Sequence, residues 1–295
     1  MHIIIIITIV LVLLLAVGLL LNYRDIHRFV VREYEVISEK VSRDITFVLL
    51  TDLHGYVYGI DNDKLIEKIY EIDPDYILCA GDMFIAREVK GELHTQAGFN
   101  LLKNLAKKYP IFISNGNHEE KIKSFREKFG NYFDRYKDSL TRLGVHYLEN
   151  ESFVLADENV RISGLELPLE TFTKVIRYKM PEGAIEKKLG KIGQSDRDKF
   201  QILIAHNPVF FEEYAQWGAD LTVSGHVHGG IIRLPLLGGV ISPALTLFPK
   251  YDGGKYERDN KTMILSCGLG THTIHVRLFN PGEVSVIRVK RAQTR

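Results

Sequence analysis

The sequence contains few cysteines and has almost no net charge, and each of these features limits the functions that it can have. The 295 residues include two cysteines, Cys79 and Cys267, and each lies inside an apolar run. We therefore expect two buried thiols, which indicate little about the redox compartment. The 38 basic and 37 acidic side chains leave a net charge of +1. Nucleic-acid-binding proteins usually carry a basic excess, so no nucleic-acid partner is expected.

Internal repeats are also lacking, and the N-terminal apolar run is the one low-complexity region of the sequence. The composition, 45% hydrophobic and 25% charged, is ordinary for a globular protein. The length suits one large domain or two small ones.

Charged residues are missing from positions 3–21, where nearly every side chain is aliphatic and Thr8 is the clearly polar exception. A helix of that length spans roughly the 30 Å hydrocarbon core of a bilayer. The alternative is a cleaved signal peptide. However, no Lys or Arg precedes the run, it is longer than the apolar region of a typical signal peptide, and no small-residue cleavage motif follows it. We therefore expect a retained transmembrane anchor over residues 1–22.

Three arginines, Arg24, Arg28 and Arg32, follow the apolar run closely. The positive-inside rule then places the remainder of the chain in the cytoplasm, on a single-pass protein of the cell membrane. An exported domain is the alternative that stays open. Residues 23–44 are charged and mixed, so we expect a juxtamembrane linker with one edge strand.

From Ile45 onward, apolar runs of strand length alternate with helical patterns. Runs at 45–50, 76–80, 111–113, 202–205 and 221–223 predict strands, and apolar stripes between and after them predict helices. This order is typical of an α/β domain with buried sheets. We assign that domain to residues 45–295, and the alternating run at 284–289 predicts antiparallel strands near its end.

Polar side chains follow five of the predicted strands at the point where each strand ends. Taken singly, each has a structural explanation: Asp52 and Asn117 could cap helices, Asp82 could close a turn, and His206 could pack in the core. In open α/β sheets, however, sites form beyond the carboxyl ends of the strands. Together these residues predict one converging metal site. They are Asp52, His54, Asp82, Asn117, His118, His206, His226 and His228.

The order of these blocks resembles that of the calcineurin-like metallophosphoesterases. The matching segments are Asp52-Leu53-His54, Gly81-Asp82, Gly116-Asn117-His118-Glu119, His206 and Gly225-His226-Val227-His228. The apolar N-terminus and Gly268-Leu269-Gly270 look most like the membrane-associated bacterial branch, which includes relatives of UDP-2,3-diacylglucosamine hydrolase. Ile85 stands where purple acid phosphatases carry a tyrosine ligand. Met83-Phe84-Ile85-Ala86 departs from the pattern of the serine/threonine protein phosphatases.

The resemblance implies a four-layer α-β-β-α sandwich that holds two divalent metal ions at its rim. By matching positions, Asp82 bridges both ions. His118 would contact the phosphate or protonate the leaving oxygen. Glu119 would orient His118 or a metal ligand. Mixed carboxylate, amide and imidazole ligands suit Mn, Fe, Zn or similar ions. The first ion would take Asp52, His54 and His228, and the second Asn117, His206 and His226.

These features predict a membrane-anchored phosphoesterase that hydrolyses a phosphodiester, pyrophosphate or phosphomonoester with a metal-activated hydroxide. The anchor makes a lipid-linked or nucleotide-sugar-lipid substrate attractive. A membrane-tethered metal-binding scaffold without turnover is the alternative function. The charged segment Thr173–Lys199 has two interpretations, a solvated surface insertion or a basic lip that faces an anionic substrate or lipid headgroups.

Overall fold

The computed structural model describes residues 1–89, 92–173, 178–234, 237–241, 246–271 and 275–292. Lys174 and Arg177 of the charged segment lie outside the described residues. The described helices, in chain order, are α1 (His2–Ile26), α2 (Asp63–Ile72), α3 (Gln96–Leu105), α4 (Asn117–Ser124), α5 (Arg126–Phe129), α6 (Tyr132–Arg142), α7 (Ala184–Leu189) and α8 (Phe211–Trp217), with short 3-10 turns at Leu169–Phe172, Gln194–Asp196 and Pro208–Phe210.

The strands include every apolar run that the sequence assigned to a strand. In chain order they are β1 (Phe29–Ser38), β2 (Ile45–Leu50), β3 (Tyr76–Cys79), β4 (Glu88–Val89), β5 (Glu92–Leu93), β6 (Ile111–Ile113), β7 (His146–Tyr147), β8 (Glu151–Leu155), β9 (Val160–Gly164), β10 (Phe200–Ile204), β11 (Leu221–Ser224), β12 (Ile232–Leu234), β13 (Gly238–Ile241), β14 (Gly254–Arg258), β15 (Lys261–Leu265) and β16 (Gly282–Arg291).

Two six-stranded sheets contain most of these strands. The first has the order β1-β16-β2-β3-β6-β7, and the second has the order β14-β15-β11-β10-β9-β8. The centre of each is parallel: β2, β3 and β6 run together in the first sheet, and β9, β10, β11 and β15 do so in the second. Parallel strands end at the same edge of a sheet, so the residues that follow them become neighbours.

The two sheets pack face to face, and helices cover the outer face of each. Because side chains alternate along a strand, Phe47 and Leu49 of β2 enter the core between the sheets. Val48 and Leu50 pack on the opposite face with apolar side chains of α2 and α3. On the second sheet, Leu203 packs outward with α8. The four-layer α-β-β-α sandwich is therefore confirmed, and both cysteines are buried free thiols as expected.

The edge strand expected between residues 22 and 44 is present as β1, which pairs in parallel with β16 from Phe29↔Gly282 to Ser38↔Arg291. The strand predicted at 284–289 is part of β16. It is antiparallel to β2, as expected, and parallel to β1. The helix α1 is 25 residues long and fully exposed in its most apolar window. It is long and apolar enough to cross a membrane, although a signal sequence has the same properties.

Candidate metal centre

The strand ends of both sheets meet at one edge of the sandwich. Short loops after β2 and β3 position Asp52, His54 and Asp82, and α4 begins at Asn117 directly after the β6 loop. From the second sheet, His206 follows β10, and His226 and His228 follow β11. The side chains of Asp52, His54, Asp82, His206 and His228 are buried, as is that of His118.

Donor atoms of these side chains form three overlapping groups, each with atoms within 4.8 Å of one another. Asp52, His54 and His228 form the first group, and Asp82, His206 and His226 form the third. Each reproduces the histidine ligands that the resemblance assigned to one metal ion. Asn117, whose possible ligand is an amide oxygen, begins α4 at the same edge. The middle group joins His54 and Asp82 with His118, so the geometry alone also allows His118 to bind a metal.

Two aspartates lie at the centre of the edge, and imidazole nitrogens surround them. The Oδ1 atom of Asp52 is 3.4 Å from Nε2 of His228 and 3.7 Å from Nε2 of His54. The Oδ2 atom of Asp82 is 3.3 Å from Nε2 of His206 and 3.8 Å from Nε2 of His54. His54 therefore faces both carboxylates, and its imidazole would be within reach of a cation bound between them.

Backbone carbonyls fix which nitrogen of two histidines faces the carboxylates. The Nδ1 atom of His206 lies 2.5 Å from the carbonyl oxygen of Ala80, and Nδ1 of His228 lies 3.3 Å from that of Gly270. A carbonyl can only accept, so Nδ1 carries the hydrogen in both rings. In the neutral rings the Nε2 lone pairs point toward the carboxylates, which is the orientation that metal-binding histidines need.

The orientation of His118 is the reverse. Its Nδ1 atom accepts a hydrogen bond from the backbone N–H of Ala86 at 2.9 Å. The neutral ring therefore carries its proton on Nε2. That nitrogen lies 4.0 Å from Oδ2 of Asp82, at the border of the cluster. His118 thus presents a proton toward the edge where neutral His206 and His228 present lone pairs.

The carboxylates are positioned mainly by backbone donors. The N–H of His226 donates to both oxygens of Asp52, and the N–H of His118 donates to Oδ1 of Asp82 at 2.8 Å. Glu119 accepts from the N–H groups of Asp82, Met83 and Gly116. Glu119 therefore fixes the loop that carries Asp82.

Five of these residues adopt positive φ angles, which non-glycine residues rarely do. The angles lie between 49° and 74°, and each such residue costs about 1–3 kcal/mol. Glycines allow the loops to approach so closely: a Cβ atom at Gly116 would collide with the carboxylate of Asp82, and one at Gly225 with that of Asp52. Strain of this kind concentrates at functional sites. The five are Asp52, His54, Asp82, His226 and His228.

Charges within the cluster shift the pKa values of its members. Burial favours the neutral carboxyl, but His228, His54 and His206 hold the pKa of Asp52 well below its usual range. His206, His118 and His54 do the same for Asp82. Burial disfavours charge on His206, but the two carboxylates raise its pKa to about 9. Burial and the carboxylate of Asp82 raise the pKa of Glu119 to about 8.

The residues present fit a divalent metal centre. The Oδ1 atom of Asn117 is buried, and it forms no hydrogen bond within the described residues. Buried polar atoms are rarely left in that state. The Nε2 atoms of His54 and His228 also face each other at 3.0 Å, which requires a proton or another cation between them. The donors are oxygen and imidazole nitrogen, a set that suits Mn, Fe or Zn.

Several supporting residues escaped sequence reasoning. Asn280 donates to the carbonyl oxygens of His228 and Gly230 at 2.7 and 2.6 Å. Buried Arg277 donates to the carbonyls of five residues, among them Gly270, which accepts from His228. Phe172 packs against the rings of His206 and His226. The sequence gives no local signal for these roles, because each depends on a contact between distant segments.

Comparison with known proteins identifies the family. The sequence profile of the calcineurin-like phosphoesterases matches residues 45–230, which contain all the clustered residues. The chain belongs to the calcineurin-like phosphoesterase family. The candidate metal centre therefore lies entirely within the part of the chain that matches the family.

Several curated relatives of this chain are described as uncharacterized metallophosphoesterases. One from Helicobacter pylori is 27% identical over 275 residues, which cover 90% of this chain and 65% of the relative. One from Aquifex aeolicus is 26% identical over 88% of this chain and 91% of its own length. YkuE of Bacillus subtilis is 26% identical over 91% of this chain and 88% of its own. The chain thus spans less than two thirds of the Helicobacter relative.

Among solved structures, NAD nucleotidase (NadN) of Haemophilus influenzae matches with a TM-score of 0.45 and 14% identity. The match covers 76% of this chain and 45% of that one. A likeness of this size adds nothing to the family assignment, which rests on the sequence profile.

Proposed function

We propose that this protein is a membrane-anchored phosphoesterase with two divalent metal ions, which hydrolyses a phosphodiester, pyrophosphate or phosphomonoester. Family membership supports hydrolysis of a phosphate ester. The two outer donor groups, which share no residue, support two ions rather than one. In this proposal Asp52, His54 and His228 hold one ion. The other is held by Asn117, His206 and His226, and Asp82 binds both.

The observation that carries the proposal is the opposite orientation of His118 and the ligand histidines. His206 and His228 turn lone pairs toward Asp52 and Asp82, whereas His118 turns an N–H toward them. A centre that only stored metal would have no use for a proton donor at that position. Hydrolysis of an ester with a basic leaving group uses one, because an alkoxide oxygen must gain a proton as the P–O bond breaks.

Each residue of the edge then has a task. When bound, the two ions would lower the pKa of water to about 7 and neutralise charge on the phosphate oxygens. Asp52 and Asp82 set the negative charge that attracts and holds the cations. His118 donates its Nε2 proton to the leaving oxygen. Glu119 holds the Asp82 loop next to the start of α4 by accepting three backbone hydrogen bonds.

The membrane part of the proposal rests on α1. Its apolar sequence favours a retained anchor, and the arginines after it favour a cytoplasmic domain. An anchor would hold the edge near lipids, so a lipid-linked substrate, including a nucleotide-sugar lipid of the kind cleaved by UDP-2,3-diacylglucosamine hydrolase, belongs to the proposal. Protease accessibility of the domain in intact cells tests the side of the membrane, since a cytoplasmic domain is protected.

The decisive experiment measures turnover by the full-length protein in detergent. We expect added Mn²⁺ to support hydrolysis of bis-(p-nitrophenyl) phosphate, and a chelator to abolish it. Parallel assays with p-nitrophenyl phosphate and a pyrophosphate diester would rank the three bond types. Stoichiometric metal binding without hydrolysis of any of them would instead favour the metal-binding scaffold.

A further inference from the structure

A group of large apolar side chains lies exposed on the segment that follows the β11 histidines. Leu237, Leu247 and Phe248 have exposed fractions of 64%, 65% and 61%, and Phe279 is 47% exposed. Single exposed apolar residues are normal in soluble proteins. A contiguous group is different, because it indicates contact with another apolar body.

Backbone pairing shows that these four residues, which we call the apolar rim, belong to one local surface. Strands β12 and β13 form a hairpin with Leu237 in its turn. Ile241 of β13 bridges to Leu247, and the N–H of Phe248 donates to Val240. On the other side, Ile232 of β12 bridges to Leu278, the neighbour of Phe279. Adjacent strands lie about 4.8 Å apart, so the rim residues lie in the hairpin turn and in the backbone segments that flank the hairpin on both sides.

The C-terminal turn of α1 is fastened beside this rim. The carboxylate of Asp25, fully buried, accepts from the backbone N–H of Asn280 at 3.2 Å. The amide of Asn22 accepts from the N–H of Arg277 at 2.8 Å and donates to the carbonyl of His275. The C-terminal turn of α1, the helix that is apolar enough to cross a membrane, is therefore attached to the domain at Asn280, the residue after Phe279.

The charge around this junction suits a lipid surface. Arg24 and Arg28 both bind Oδ1 of Asp25, and their side chains remain 50% and 43% exposed. Two cations on one carboxylate leave a positive excess, which attracts anionic headgroups. Tyr23 is 66% exposed at the same level of the helix, as is common for aromatic residues at a membrane interface.

The metal edge lies on the other side of the same junction. Asn280, whose N–H binds the anchor helix, holds the carbonyls of His228 and Gly230 with its side chain. Arg233 of β12 donates to the carbonyl of Gly229. The anchor helix, the apolar rim and the histidine loop are thus joined through a few buried hydrogen bonds.

We propose that the apolar rim is a second membrane contact, which dips into the bilayer interface beside α1 and holds the metal edge against the lipid surface. The occupant is the lipid bilayer, because the rim is continuous with the end of the transmembrane helix and is flanked by its arginines. This inference rests on the anchoring in the proposed function and adds to it a fixed orientation. The site would then take its phosphate ester directly from the plane of the membrane.

The test uses full-length protein in vesicles of phosphatidylcholine and phosphatidylglycerol. Phe248→Cys, Phe279→Cys and Leu237→Cys are each labelled with a polarity-sensitive fluorophore, and the native thiols, being buried, stay unlabelled. We expect a blue-shifted emission at all three positions and quenching by spin-labelled lipid. Ile37→Cys and Val154→Cys are the controls. They are 67% and 41% exposed and lie at the far ends of β1 and β8, so they should not be quenched.

Three results would overturn the proposal. Equal quenching at rim and control positions would show that the rim has no special contact. Protection of the rim from aqueous quencher without quenching by lipid would show that protein, such as a second copy, covers it. Failure of the protein to float with vesicles would refute both the anchor and the rim. Hydrolysis of bis-(p-nitrophenyl) phosphate by the same samples reports the phosphoesterase activity separately, and should be unchanged by the rim substitutions.

Discussion

Two polar clusters of this protein differ in how their carboxylates are neutralised. At the metal edge, Asp52 and Asp82 face imidazoles, and no Lys or Arg forms an ion pair with either carboxylate among the described residues. Beside α6, a cavity of about 410 Å³ is lined by Glu149, Glu166 and basic side chains. There Lys123 binds both glutamates at 2.6 and 2.7 Å, and Lys137 also binds Glu149.

In one cluster the carboxylates are already neutralised by lysines of the chain. In the other they can be neutralised by a bound metal ion. Buried carboxylates need compensating charge. In the cavity beside α6 the chain supplies it with lysines. Asn115 also donates to Oε1 of Glu166, which Lys123 binds, and Asn150 donates to Oε2. At the metal edge the chain supplies only histidines, which are neutral when they bind metal. We therefore expect the two clusters to respond differently to substitution, to pH and to removal of metal.

The largest effect should come from Asp82→Asn. Asparagine offers one carbonyl oxygen and no charge, so it cannot hold two cations together. Because loss of an outer residue of a metal site typically costs 10–100-fold, loss of a shared ligand should cost more than about 100-fold in activity. Elemental analysis should show depletion of both metals. His54→Ala and His206→Ala, the matched controls, should each deplete mainly one, and normal rates with two tightly bound ions would refute the shared-ligand assignment.

His118→Ala should lower the turnover rate by about 10²–10⁴-fold, the usual cost of removing a general acid. The metal content should remain that of the native protein, because the Nε2 proton of His118 makes it a donor rather than a ligand. Elemental analysis beside single-turnover rates checks both statements. If one metal disappears together with activity, then His118 belongs to the ligand set that its distance from His54 and Asp82 permits.

Asn280→Ala should weaken metal binding by about 10–100-fold, as expected for a residue that orients a ligand. It removes both hydrogen bonds to the carbonyls of the His228 loop. Isothermal titration with Mn²⁺ measures the change. Asn100→Ala provides the control, since that side chain donates to Asp61 at the surface and should leave the affinity unchanged.

Metal affinity should increase with pH by about tenfold per unit until the pKa of His206, about 9, is reached. Affinity rises with pH because the metal ion and a proton compete for His206. Below that pH the ring is protonated in the metal-free protein, so a binding ion must displace the proton, and above it no proton remains to be displaced. Titrations in buffers of different ionisation enthalpy should detect about one proton released from His206 at pH 7. An affinity that is independent of pH would contradict this account.

The smallest effect should come from Lys137→Met in the cluster beside α6. Its ammonium group is partly exposed and Lys123 still neutralises Glu149, so we expect a loss of only about 1 kcal/mol in the free energy of unfolding. Urea denaturation measures that loss. Hydrolysis and metal content should stay at native levels. A strong loss of activity would mean that the two clusters are coupled after all.

The sequence predicted the architecture well because hydrophobic periodicity reports which segments are buried. The runs at 45–50, 76–80 and 202–205 became central strands of the two sheets. It did not predict which sheet each strand joins, since strand order depends on contacts between distant segments. It also gave no warning that β16 lies between β1 and β2.

For the candidate site, the sequence likewise predicted which residues come together but not how their side chains are oriented. Residues at strand ends converge because parallel strands end together, so His54 and His226 could be grouped without coordinates. The orientation of each imidazole could not, because it depends on carbonyls of Ala80 and Gly270 and on the N–H of Ala86. The roles of Arg277 and Asn280 were equally hidden, since an isolated polar residue in a loop usually faces solvent.

The position of β16 also constrains the order in which the protein can fold. β1 pairs with β16, and β2 pairs with both β16 and β3. The ribosome makes β1 and β2 long before Gly282–Arg291, and early segments begin to fold before later ones exist. During that interval the edge of β2 is open, and α1 is available to the membrane insertion machinery. The first sheet therefore closes only after β16 has been made, so α1 emerges from the ribosome well before the sheet beside it is complete.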